Sequence, residues 1–247
     1  MTYTAPTRDM QFLLEHVAGL KPLLDAGAFP DLSDDLIQAV LDESAKLARD
    51  VIAPLNEAGD SHGARLEDGT VTTAPGFADA YAKYIEGGWN GIAADPDFGG
   101  QGLPHALALA CIEMVYGANM SFSLCPMLTA AAIDALTEHG TQEQKSLYLP
   151  KLVSGEWTGT MCLTEPQAGS DVGALRTRAE KQDDGTYRIK GSKIFITYGE
   201  HDMAENIIHM VLARLPDAPA GTKGISLFLV PKFLVNGDGS LDRKSTR

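Results

Sequence analysis

The apolar periodicity of this chain changes once, near Trp157, from about 3.6 residues to about 2, and that switch restricts the fold to a helical part followed by a strand-built part. Up to about residue 156 the pattern is helical. Leu36, Ile37, Val40, Leu41, Leu47 and Val51 recur at three- and four-residue steps. Ser33 is placed to N-cap this run, Asp34 and Asp35 favour its positive end, and Pro54 is expected to stop it. A second helix is expected from Pro75, with Phe77, Tyr81 and Ile85 on one stripe, to Gly87 and Gly88. Residues 104–118 and 121–139 are rich in Ala and Leu and poor in charge, which predicts buried bundle helices with Met114, Met120 and Met127 in the core. Thr141-Gln142-Glu143-Gln144 fits a capping box, opening a helix that Pro150 and Gly155 bring to an end.

Beyond Trp157, Tyr187 and Ile189 alternate with Arg188 and Lys190, in a run that reads to Thr197. A strand around 174–182 joins it through the hairpin signal Asp183-Asp184-Gly185. Residues 206–214 and 224–230 read as two more strands, separated by a Pro- and Gly-rich loop. The helical part therefore gives way, near 157–160, to an antiparallel β part.

Charge and cysteine usage narrow the function. With 33 acidic and 20 basic side chains in 247 residues, the formal charge is −13. Such a chain lacks the clustered Lys and Arg that bind phosphate backbones or anionic membranes, so no nucleic-acid partner is expected. Cys111, Cys125 and Cys162 fit neither a zinc site nor a CxxC pair and are expected as reduced, buried thiols, with no metal site. No run of apolar residues approaches the roughly 20 needed for a bilayer span, and no basic segment precedes an apolar one at the N-terminus. A cytoplasmic location without a membrane span is expected.

The six His residues form no HExxH, and the chain has no GxGxxG, Walker-type loop or GxSxG elbow. What remains is a dense stretch at the helical-to-β junction, Met161-Cys162-Leu163-Thr164-Glu165-Pro166-Gln167-Ala168-Gly169-Ser170-Asp171-Val172. Its hydroxyls, and backbone N–H groups freed by Gly169, can face an anionic or heteroaromatic ligand; the plainer reading is a turn that merely changes domains. Glu165 and Asp171 are read as turn or cap residues and not as general bases. His201 and Asp202 are expected in a solvated turn, and Gly99-Gly100-Gln101-Gly102 as a turn between helices ahead of a Pro104 start.

The string MCLTEPQAGSDV is similar to the flavin-binding signature of acyl-CoA dehydrogenases. Four further pieces match in the same order: WNGIAADPDFGGQGLP, HGTQEQKSLYLPKLVSGEWTGTMCLTEP, IKGSKIFIT and KGISLFLVPK. The N-terminal segment also resembles one branch of the family, which includes enzymes acting on methylthiopropanoyl-CoA. The fold that this resemblance implies is α+β: an N-terminal all-α helical bundle domain (33–158, after an extension over 1–32), then an antiparallel β-barrel-like domain (159–240, incomplete), with the C-terminal helical bundle missing. Residues 241–247 are read as a non-native tail.

The resemblance implies FAD as cofactor. It places Met161, Leu163 and Thr164 against the ring and ribityl chain, with Gly169 beside them, and makes Ser170 a phosphate or thioester contact that also serves substrate binding. Phe195, Ile196 and Thr197 are expected across the ring, with the Thr hydroxyl near N5. Met161 stands where many members have an aromatic residue, Phe195 where Trp is frequent, and Tyr198 departs from the commoner Asn. The family reaction oxidises an acyl-CoA thioester to the trans-2-enoyl thioester by α-proton abstraction and β-hydride transfer to flavin N5. Electrons then pass to an electron-transfer flavoprotein or similar acceptor, and the full-length enzymes are expected to be homo-oligomers. The family's catalytic Glu belongs to the C-terminal domain, so no catalytic base is expected in this chain and the fragment is expected to be inactive. A non-catalytic acyl-thioester or partner-binding module, and a flavin oxidase or monooxygenase on the same fold, are the alternatives.

Overall fold

The computed structural model describes residues 3–246, and side chains as far as residue 242; Met1 and Thr2 of the expected extension and Arg247 of the expected tail lie outside the described residues. Helices α1 (Thr7–His16) and α2 (Leu20–Asp25) precede α3 (Asp34–Leu47). The Ser33 hydroxyl accepts from the Leu36 N–H at 3.2 Å, as its N-cap position requires. This helical path continues through a π-helical turn at Ala48–Ile52 and ends at Ile52, two residues before Pro54. Pro54 itself stands in the right-handed region at the head of α4 (Leu55–His62), where the missing proline N–H costs nothing.

A short hairpin, β1 (Arg65–Glu67) and β2 (Thr70–Thr72), separates α4 from α5 (Phe77–Glu86). Its turn is Asp68-Gly69, both at positive φ, a strong hairpin signal that the helical reading of this region passed over. The 99–102 turn leads, through Pro104 as N-cap, into α6 (His105–Ala118), followed by α7 (Met120–His139) and α8 (Gln142–Ser154). The Thr141–Gln144 capping box is complete. Gly155, at φ 80°, ends α8, whereas Pro150 lies inside the helix. Met114 is fully buried, but Met120 is 54% exposed and belongs to no core.

By length and composition alone α7 could cross a membrane, contrary to the reading that no apolar run comes near that length; in this fold it packs against α4, α6, α8 and the first strand of the main sheet, β3 (Trp157–Cys162). Gly159 makes that approach possible. A Cβ there would lie 2.4 Å from the Ala132 Cβ, and the Gly159 N–H donates to the Thr129 hydroxyl at 3.1 Å. Trp157, Ile133, Leu136, Leu149, Leu152 and Ile208 close the core between α7, α8 and the sheet.

The remaining strands are β4 (Arg178–Lys181), β5 (Tyr187–Lys190), β6 (Asn206–Arg214), β7 (Ile225–Pro231), β8 (Phe233–Val235) and β9 (Leu241–Thr246). The β8–β9 pair is antiparallel and includes most of the expected tail. The main sheet corrects the antiparallel, barrel-like expectation: among the described residues it is open, five-stranded and mixed. β3 runs parallel to β6 along its whole length, β7 pairs antiparallel on β6, and β4 joins the end of β6 at Arg178 and Arg214 while forming a hairpin with β5. Alternation of side chains identifies a strand but carries no direction; the long crossover from Leu163 to Glu205 returns β6 parallel to β3. The strand expected to reach Thr197 stops at Lys190, because the backbone beyond it bonds elsewhere.

Candidate cofactor site

Cys162 is the last residue of β3, and the chain then folds into a tight turn in which Glu165 and Ala168 exchange both main-chain hydrogen bonds, at 2.9 and 3.0 Å. The Glu165 side chain points inward and is 4% exposed. Its carboxylate accepts from the Arg176 N–H (2.7 Å), the Thr177 N–H (3.0 Å), Gln167 Nε2 (2.7 Å) and Lys193 Nζ (2.8 Å). Burial pushes this carboxyl upward, but the bonds from Lys193, Thr177 and Arg176 outweigh it and hold it down at about 2. A carboxylate so fully occupied is a structural anion, in keeping with its reading as a turn residue.

The second segment, 191–198, lies alongside the first. The Ile194 N–H donates to the Thr164 carbonyl at 3.0 Å, Lys193 Nζ to the Leu163 carbonyl at 2.9 Å, and the Thr160 hydroxyl to the Thr197 carbonyl at 2.6 Å. Between these fastenings Phe195 takes φ 56° and leaves its ring 88% exposed. A non-glycine residue held in the left-handed region carries a backbone cost of about 1–3 kcal/mol.

The structure thus brings Met161, Leu163 and Thr164 together with Phe195, Ile196 and Thr197. Gly169 and Ser170 are exposed beyond the Glu165–Ala168 turn, and among the described residues neither hydrogen-bonds to the second segment. The turn that follows them is fixed by Arg214, whose guanidinium donates to the carbonyls of Gly173 (2.5 Å), Leu175 (3.1 Å), Pro219 (3.0 Å) and Gly221 (2.7 Å).

Thr197, Tyr198 and His201 also wall a cavity of about 270 Å³, completed from the helical part by Phe77, Ser121 and Leu124. His201 is not in a solvated turn: it is 2% exposed. The Met203 N–H donates to its Nδ1 at 3.1 Å, so Nε2 carries the hydrogen and faces the Thr158 hydroxyl at 2.9 Å. Burial first, then Lys232 and His209, lower this imidazole to about 4 against the opposing pull of Glu200 and Asp202. Asp202 turns away to accept from the Thr73 N–H and hydroxyl at 3.0 and 2.7 Å. The three thiols are buried, and burial raises each of them; Cys111 and Cys162 reach about 11.

Comparison with known families gives two adjoining matches. Residues 35–156 match the acyl-CoA dehydrogenase N-terminal domain and residues 160–240 the acyl-CoA dehydrogenase middle domain. The chain belongs to the acyl-CoA dehydrogenase family. Among curated acyl-CoA dehydrogenases it is 48% identical over 246 residues to the 3-methylmercaptopropionyl-CoA dehydrogenase of Ruegeria pomeroyi, covering 100% of this chain and 42% of that protein. It is 41% identical over 243 residues to a butyryl-CoA dehydrogenase of Syntrophomonas wolfei, covering 96% and 40%. The solved butyryl-CoA dehydrogenase from Megasphaera elsdenii superposes with a TM-score of 0.66 at 26% identity, over 81% of this chain and 49% of that one. A Bacillus anthracis acyl-CoA dehydrogenase complexed with FAD shares the fold, with a TM-score of 0.65 at 24% identity over 83% and 32%. The chain therefore spans about two fifths of the length of the curated acyl-CoA dehydrogenases it matches.

Proposed function

We propose that this chain supplies the cofactor-binding wall of an FAD-dependent acyl-CoA dehydrogenase, which oxidises an acyl-CoA to the trans-2-enoyl-CoA. The observation that carries this reading is the pinning of residues 160–164 to 193–197 by three hydrogen bonds with the Phe195 ring left bare between them. The residues fit the group. Phe195 offers an aromatic face, Thr164 and Thr197 offer hydroxyls, and a side chain built at Gly169 would meet nothing within 4 Å, so a large ligand can approach the backbone there.

Bound FAD supplies the two-electron acceptor. The chain's own residues do the positioning: Thr164 and Thr197 hold polar edges, while the half-buried Met161, Leu163 and Ile196 keep water from the reacting centre. Glu165, the buried carboxylate of this wall, is fully engaged with four donors and is not the group that takes the α-proton. The onward partner is an electron-transfer flavoprotein or a similar acceptor.

Titration of the purified 247-residue chain with FAD, followed by quenching of flavin fluorescence, tests the reading. Saturable binding is expected, with no bleaching of the flavin on anaerobic addition of butyryl-CoA or 3-methylmercaptopropionyl-CoA. A chain that leaves flavin fluorescence unchanged at millimolar FAD would overturn the cofactor assignment. Bleaching by either thioester would show that the base lies within these residues.

A further inference from the structure

Glu165 and Lys193 form an ion pair at 2.8 Å in which the two side chains are 3% and 12% exposed. Burying two opposite charges is a poor route to stability, because the desolvation of both roughly cancels their attraction, and a well-packed apolar pair often does better. What a buried pair does supply is geometry, since each charge must be met by donors and acceptors in fixed places.

Here those places belong to three separate stretches. The carboxylate is met by the turn itself through Gln167, by the entry to β4 through the Arg176 and Thr177 N–H groups, and by the second cofactor segment through Lys193. The ammonium in turn reaches back to the Leu163 carbonyl. Leu163 and Thr164 on one side, and Ile194 to Thr197 on the other, are the edges against which the cofactor is proposed to lie. Without the pair, the two edges keep the Ile194–Thr164 and Thr160–Thr197 bonds but lose the buried anchor that fixes one against the other.

We propose that Glu165 and Lys193 are positioning residues: their ion pair locks the register of the two segments and thereby sets how tightly the flavin is held. This rests on the function proposed above, but the lock itself is a property of the bare chain.

Three forms test it: the native chain, Lys193→Met, and the double variant Glu165→Gln/Lys193→Met, which leaves no unpaired buried charge. In the bare chain, amide hydrogen exchange at Ile194 is expected to quicken about tenfold in both variants while Met210 in the central strand is unchanged. The double variant is expected to regain the melting temperature that Lys193→Met loses. Where FAD binds the native chain, both variants are expected to bind it about tenfold more weakly, with a blurred vibronic structure in the flavin absorption band. Unchanged exchange at Ile194 in the double variant overturns the proposal whether or not FAD binds. Native FAD affinity in a double variant with quickened exchange overturns its link to the flavin. Failure of the native chain to bind FAD bears on the proposed function alone.

Discussion

The Tyr198 hydroxyl donates to the Ser121 carbonyl at 2.7 Å, joining the loop behind the proposed cofactor wall to the first turn of α7. Tyr198 holds φ 50° to make this contact, so the chain accepts backbone strain at the point where its two halves meet. Tyr198→Phe keeps the ring and removes the bond, and it is expected to cost about 1 kcal/mol in denaturant unfolding. A loss below experimental scatter would mean that the ring alone makes the joint.

A second joint is steric. Gly159→Ala sets a methyl group 2.4 Å from the Ala132 Cβ and is expected to destabilise the chain by about 1–3 kcal/mol. Ala132→Gly opens the same space. A double-mutant cycle should therefore show favourable coupling, with the pair less destabilised than the two single changes added together.

His201 predicts a stability slope in mildly acid solution. Its pKa falls from 6.5 to about 4 on folding, so the unfolded chain takes up the proton first and native stability is lost as pH drops from 6.5 towards 4. The loss is on the order of 3 kcal/mol and should flatten in His201→Asn. Urea unfolding at half-unit pH steps measures it.

Glu165 acts in a lower window with the same sign. Its pKa drops from 4.5 to about 2, so its contribution is complete above pH 4.5 and disappears as pH falls to about 2. Glu165→Gln should be less stable than the native chain at pH 7, with the gap narrowing by roughly 3 kcal/mol below pH 4.5. A constant gap from pH 7 to 2 would show that the carboxylate gains nothing from its four donors.

Phe195→Gly separates stability from binding. The ring is 88% exposed, so little packing is lost, and relief of the left-handed strain offsets the added freedom of the unfolded chain. Stability of the bare chain is expected to stay within about 0.5 kcal/mol, while FAD affinity falls at least fivefold. Equal affinity would remove Phe195 from the proposed site.

The parts of the fold that were legible in the sequence are those written locally. Ser33, Thr141 and Gly155 each act within four residues of their own position, and each does what its chemistry indicates. The string from Met161 to Val172 was legible as a family resemblance, not through any period. Pro54 does separate the first long helical run from α4, but Pro150 misled: it stands inside α8, whose end is set by Gly155 instead. The parallel pairing of β3 with β6 was hidden, since direction depends on the path of the crossover between them. The partners of Glu165 are spread over positions 167, 176, 177 and 193, a spacing that matches no pattern. His201 looked like loop because its neighbours are polar, yet it is among the most buried polar residues.

The parallel neighbours β3 and β6 are roughly fifty residues apart in sequence, and both halves of the proposed cofactor wall lie inside the loop that their pairing closes. The contact of α7 with α8 needs only a short loop, whereas this closure, like that of α3 on α6, spans roughly fifty residues or more and is slower to form. The two halves of the proposed site therefore meet only once β3 and β6 have paired. Uptake of FAD by a folding chain is thus expected to report completion of the sheet and not merely collapse of the core.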